Sequence, residues 1–168
     1  MTIARYRHAL PQLDGRPFIT DGGIETTLIF HDGLELPDFA AFDLFRRPDG
    51  EAALRRYFHS YADIATRFGT GLILESATWR ASADWGARLG LDADELAVLN
   101  RRAIRLLDEI RSACESDTTR VVISGCVGPR GDGYDSGLTM SAVEAEEYHR
   151  VQIDTFAARP RTWSPRSR

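Results

Sequence analysis

Apolar positions along the chain follow two periods that alternate. Short apolar runs of strand length lie at residues 17–20 (Pro-Phe-Ile-Thr), 71–75 (Gly-Leu-Ile-Leu-Glu) and 120–124 (Arg-Val-Val-Ile-Ser). Between them apolar residues recur at three- and four-residue spacing. Leu54, Tyr57, Phe58, Tyr61, Ile64, Ala65 and Phe68 mark one helix face, with Asp49 as N-cap and Gly69 as the stop after about residue 67. Ser82 to Leu89 has the pattern of a short helix closed by Gly90. Leu96, Leu99, Ala103, Leu106, Leu107 and Ile110 form the stripe of a longer helix that Asp92 or Asp94 opens and that ends near Ala113. Ser141 with Glu144 is a capping box, so another helix starts there, with Ala145, Tyr148, Gln152 and Phe156 inward. The order βαβαβα predicts an α/β fold with a parallel sheet. The unbroken apolar run at 71–75 predicts a strand covered on both faces.

Two stretches lack a period. Residues up to Arg16 read as a short helix or arm. Phe30 to Pro48 reads as a long loop with about one turn of helix, of the kind that covers a site.

Composition narrows the class. A chain of 168 residues suits one domain with a real core. Its hydrophobic fraction of 43% and charged fraction of 27% are those of a soluble globular protein. A net charge of −4 gives no reason to expect nucleic acid or an anionic membrane as partner. No apolar run reaches membrane-span length, and no signal-peptide core is visible. Cys114 and Cys126 make no disulfide framework, so a cytoplasmic location is expected.

The chemistry gathers where each strand ends. Strand one runs into Asp21-Gly22-Gly23-Ile24-Glu25-Thr26-Thr27. Strand two ends in Glu75-Ser76-Ala77-Thr78-Trp79-Arg80, and strand three in Gly125-Cys126-Val127-Gly128-Pro129. Parallel strands bring these ends to one side, where α/β proteins bind ligands. Asp-Gly alone is a common turn dipeptide. Three polar loops on one side of a sheet are a stronger signal.

In order, spacing and context, these loops resemble the homocysteine S-methyltransferase family, whose homocysteine-binding domain is a (β/α)8 TIM barrel. The Gly125–Pro129 loop is the most specific of the three, and Tyr148-His149 also resembles the family pattern. The resemblance covers roughly residues 17 to 158 and implies about three βα units of the barrel. It implies methyl transfer to the thiol of homocysteine, with a zinc ion holding the sulfur as a thiolate. It implies cysteine zinc ligands late in the barrel, none of which this chain contains. No catalytic or metal residue is therefore assigned, no zinc is expected to be held by this chain, and the chain alone is expected to be inactive. Homocysteine and a methyl donor are the implied small-molecule partners. Betaine, S-methylmethionine and methylfolate stay open as donors, as does a different thiol as acceptor.

The candidate substrate-binding residues are Asp21, Gly22, Glu75, Thr78, Gly125 and Cys126. Asp21 suits the substrate ammonium, through a charge-assisted hydrogen bond. Glu75 either borders the pocket or pairs with an arginine on its rim. Thr78 and the backbone N–H groups near Gly22 suit the amino-acid carboxylate. Cys126 lacks the partner cluster a zinc site needs and reads as pocket wall. Cys114, at a helix end, reads as inert, and His31, His59 and His149 show no ligand spacing.

From residue 159 the composition changes to Arg-Pro-Arg-Thr-Trp-Ser-Pro-Arg-Ser-Arg, giving a partial barrel domain at 1–158 and a non-homologous tail at 159–168. With CGN codons for arginine and TCN codons for serine, the tail codons read one base earlier yield a valine across Trp163 and Ser164. They also allow Asp-Met-Val-Thr, as a fourth barrel strand would have. A frameshift is therefore expected, against a genuine disordered arginine-rich tail. Three strands cannot close a barrel, so an exposed sheet edge and self-association are expected. Two rivals stand beside the methyltransferase reading. One is a non-catalytic α/β module that binds an amino-acid thiol. The other is a fragment completed by a partner chain.

Overall fold

The computed structural model describes residues 5–6, 8–135 and 139–157. Gly137 and the tail at 159–168 lie outside them. Three strands, β1 (Phe18–Thr20), β2 (Gly71–Glu75) and β3 (Val121–Ser124), form one sheet in the order β1-β2-β3. Both pairings are parallel, with Phe18 opposite Gly71 and Leu72 opposite Val121. β1 leads into a short helix, α1 (Ile24–Thr26), continued by a wider turn at Thr27–His31. The longer helices are α2 (Gly50–Phe68), α4 (Ala93–Cys114) and α5 (Ala142–Ala157), with a short α3 (Ala83–Arg88).

α2 packs on β1 and β2, α4 packs on β3, and the two helices pack on each other. Leu72 and Leu74 point into this layer and are fully buried, together with Leu54, Phe58, Leu107 and Val121. Burying such a side chain contributes about 1.5–3 kcal/mol. Ile73, on the other face of β2, is only half-buried and Glu75 is exposed. Among the described residues the expected cover on both faces of β2 is therefore incomplete on the Ile73 face, because α2 and α4 both serve the Leu72–Leu74 face.

α4 opens at Asp92, not Asp94. The Asp92 carboxylate accepts from Glu95 N–H at 2.8 Å, and the Glu95 carboxylate accepts from Asp92 N–H at 3.0 Å. The Ser141–Glu144 box at the start of α5 also forms, with Ser141 N–H donating to Glu144 at 2.8 Å. Asp49 precedes α2 but makes no capping bond. Its backbone, at φ −101 and ψ 0, is not the extended cap geometry that turns a side chain back onto the first N–H groups.

Residues 30–48 are the larger departure. This stretch holds 3-10 turns at Pro37–Phe39 and Ala41–Arg46, and Ala41, Phe42, Leu44 and Phe45 are buried in the core. It docks on α2 and α4. Gly50 permits the approach: a Cβ there would stand 2.0 Å from the Leu44 carbonyl oxygen. On α2 the buried stripe runs through Leu54, Phe58, Ala62 and Ala65. Ile64 and Phe68 sit on its flank, 46% and 67% exposed, contrary to the inward face expected of them.

Candidate functional site

The carboxyl ends of the three strands surround a cavity of about 150 Å³. Asp21, Gly22, Glu75 and Cys126 line it, and so do Glu25, Ser76 and Trp79. β1 delivers Asp21 and β2 ends on Glu75, so their parallel pairing sets the two acids side by side. Asp21 then crosses to the neighbouring strand, where its Oδ1 accepts the Glu75 N–H at 3.0 Å. The Tyr57 hydroxyl, from α2, lies 3.0 Å from the Gly22 carbonyl oxygen and 3.3 Å from Asp21 Oδ2. Tyr61 donates to the same Gly22 carbonyl at 3.2 Å.

Thr78 and Gly125 stand behind this wall. Thr78 is fully buried, and its hydroxyl donates to the Cys126 carbonyl at 2.8 Å. That uses its one hydrogen, so Ser76 Oγ must donate to Thr78 Oγ1 at 2.7 Å. Ser76 Oγ in turn accepts the Cys126 N–H at 2.9 Å. Gln152 Nε2, from α5, donates to the Thr78 carbonyl at 3.0 Å and to Asn100 Oδ1 at 3.1 Å. Asn100 passes the chain on to the carbonyls of Ala81 and Leu96. This ladder joins the loops after β2 and β3 to α4 and α5. A Cβ on Gly125 would meet the Phe156 ring at 2.6 Å. One on Gly128 would stand 2.0 Å from the Trp79 carbonyl oxygen, so only glycine lets the two loops touch.

Electrostatics divide the cavity. Burial raises the Asp21 carboxyl above its ordinary value, against the Glu75 N–H and the Tyr57 hydroxyl, which favour the carboxylate. Burial likewise raises Glu25, with Arg80 opposing it. Glu75 is raised by burial and then by the charge of Asp21. The Cys126 thiol is pushed up to about 12, first by burial and then by Glu75, Glu25 and Asp21. Two half-buried carboxyls, Asp21 and Glu25, with the exposed Glu75 beside them favour a cationic group, which would restore the lost charge balance. Arg80 lies over Trp79 at 4.7 Å and Trp85 at 3.9 Å.

Sequence reasoning left Glu25, Tyr57 and Gln152 without site roles. The acid four residues after Asp21 was a usable signal for Glu25. Tyr57 and Gln152 carried only the signal of a buried helix face.

The strand-end position of the cavity on a parallel βα sheet is the place where α/β proteins bind their ligands. The model of the homocysteine S-methyltransferase family matches residues 18–162, and the chain belongs to that family. Two solved structures of the homocysteine methyltransferase MmuM from Escherichia coli, in metallated and oxidised forms, share the fold. Each superposes with a TM-score of 0.66, at 22% and 21% identity, over 86% of this chain and 51% of theirs. The chain thus spans about half the length of those proteins, and its three parallel strands are consistent with part of a TIM barrel. No curated protein sequence matches it.

The resemblance implies zinc, for which the described residues offer few donors. Among the described residues, no three His, Cys, Asp or Glu side chains are grouped to hold a metal ion. Cys114 has Glu115 and Asp63 as charged neighbours, whereas Cys126 has Glu75, Glu25 and Asp21, so the two thiols face separate surroundings. An acidic, buried setting also opposes the ionisation that a thiolate ligand needs. Among the described residues no helix is long and apolar enough to cross a membrane.

Proposed function

We propose that this chain forms the amino-acid end of a homocysteine S-methyltransferase site and does not transfer methyl groups by itself. The observation that carries the reading is the cavity with Asp21, Glu25 and Glu75 on its walls, at the strand ends of a family member. In this reading the ammonium of homocysteine sits among these carboxylates, where a charge-assisted hydrogen bond is strongest. Gly22 and Cys126 shape the floor and wall. Thr78 and Gly125 act by holding the two loops together. The thiol is not activated here, because a free homocysteine thiol stays mostly protonated near neutral pH and is then a poor nucleophile.

Calorimetry of the 168-residue chain with L-homocysteine tests the first half, beside the same molecule lacking its amino group. Binding of the first and not the second is expected. Equal binding of both would remove the carboxylates from the recognition. Metal analysis after dialysis and a methyl-transfer assay with betaine, S-methylmethionine and methylfolate test the second half. Retained stoichiometric zinc, or turnover that a chelator stops, would overturn it.

A further inference from the structure

We infer that Tyr57 is a positioning residue for this cavity: its hydroxyl, reaching in from α2, fixes the Asp21–Gly22 turn and aims the Asp21 carboxylate at the bound cation. The inference rests on the amino-acid reading of the cavity. Tyr57 lies well outside the strand-end loops in sequence, yet it is buried and its hydroxyl is shared between Gly22 O at 3.0 Å and Asp21 Oδ2 at 3.3 Å. The second carboxylate oxygen of Asp21 is held by the Glu75 N–H at 3.0 Å. The acid is thus gripped from two sides, by a strand backbone and by a helix side chain.

One hydroxyl has one hydrogen and two lone pairs. With Asp21 ionised, Tyr57 shares its hydrogen between carboxylate and carbonyl. With Asp21 protonated, Tyr57 can donate to Gly22 and accept from Asp21. The tyrosine therefore keeps the turn in place in both states of the acid. Its own ionisation is pushed upward by burial, then by Tyr61 and Asp21, so it stays a neutral donor. Its ring packs edge-on against Phe58 at 5.2 Å and beside Tyr61 at 5.3 Å, which leaves the hydroxyl little freedom to swing away. The other titratable groups that face Asp21 are Glu25 on α1, Tyr61 on α2, Glu75 on β2 and Cys126 after β3.

Tyr57→Phe in the 168-residue chain keeps the ring and removes the hydroxyl. Carbon-13 NMR of labelled aspartate should show the Asp21 carboxyl titrating at higher pH, because a bond that favoured the carboxylate is gone. Affinity for L-homocysteine should fall about tenfold, the worth of one hydrogen bond to a charged group. Tyr61→Phe should move the Asp21 midpoint less, since Tyr61 meets the Gly22 carbonyl and Tyr57 but makes no hydrogen bond to Asp21 itself. An unmoved midpoint in Tyr57→Phe, or an equal shift in both variants, would overturn the assignment. In the unaltered chain, the Tyr57 ring carbon that bears the hydroxyl should titrate with the Asp21 midpoint. Its indifference to pH would overturn the assignment even if the variant failed to fold. A shifted midpoint without any L-homocysteine binding to the unaltered chain would uphold Tyr57 and reject the amino-acid reading instead.

Discussion

The two walls of the cavity are built on opposite principles. Between β2 and β3 the wall is neutral, and its hydroxyls and amide donors are spent on groups within it. Ser76, Thr78, Cys126, Gln152 and Asn100 form a buried relay whose hydroxyl hydrogens have a single consistent ordering. Between β1 and β2 the wall carries Asp21, Glu25 and Glu75, all displaced toward the protonated form, with burial the largest cause. The neutral wall gains its stability from within, since its hydroxyls and amide donors are paired across the elements they join, with the buried Gln152 Oε1 as its one unpaired atom among the described residues. On the acidic wall Asp21 accepts from the Glu75 N–H and the Tyr57 hydroxyl and Arg80 opposes Glu25, yet burial outweighs these contacts. In the proposed reading, the substrate ammonium supplies the remaining compensation when it enters the cavity.

This contrast can be broken most forcefully from the neutral side. Gln152→Ala removes the donors to Thr78 and Asn100 and leaves a void in the α4–α5 contact. A loss of about 3 kcal/mol is expected in urea unfolding. A loss within experimental error would mean that the ladder is not a structural unit. Thr78→Val keeps the shape but takes the acceptor from the Ser76 hydroxyl and leaves the Cys126 carbonyl only the longer bond from Gln152 Nε2 at 3.4 Å, with a cost of about 2 kcal/mol. In both variants the fall in L-homocysteine affinity should be no more than the fall in folded population explains.

The acidic side should behave in the converse way. Asp21→Asn is expected to weaken L-homocysteine binding by about tenfold or more in calorimetry, while unfolding free energy changes by less than about 1 kcal/mol. A variant that unfolds readily but binds normally when folded would place Asp21 with the ladder, as a clamp between β1 and β2. The finest effect is on pH. Because Asp21, Glu25 and Glu75 are raised in the folded state, the folded chain binds more protons than the unfolded chain between their ordinary and raised values. Stability should therefore fall as pH rises through that window. Glu25→Gln should flatten this slope in thermal melts taken across it, whereas Thr78→Val should shift every melt and leave the slope alone. L-Homocysteine binding should run the other way and strengthen with rising pH, as the carboxylates ionise.

What could be read without coordinates was whatever is local. Strand runs at 71–75 and 120–124, the stripe from Leu96 to Ile110 and the Ser141–Glu144 box all report neighbours within a few residues. A period of two or of three to four is enough to register them. The strand-end loops were legible for the same reason, and parallel order then placed Asp21, Glu75 and Cys126 on one side. Tertiary packing alone decided the rest. The stretch from Leu36 to Phe45 has no period because it wedges between α2 and α4 and serves no single face. Ile64 and Phe68 share the spacing of buried residues but stand beyond the edge of what α2 covers. Tyr57 reaches Asp21 across 36 residues of chain, and Gln152 reaches Thr78 across 74. Spacing along a chain fixes which side chains share an element's face. Only the docking of elements fixes which hydroxyl meets which carboxylate, because a hydrogen bond forms over about 3 Å and at a narrow angle.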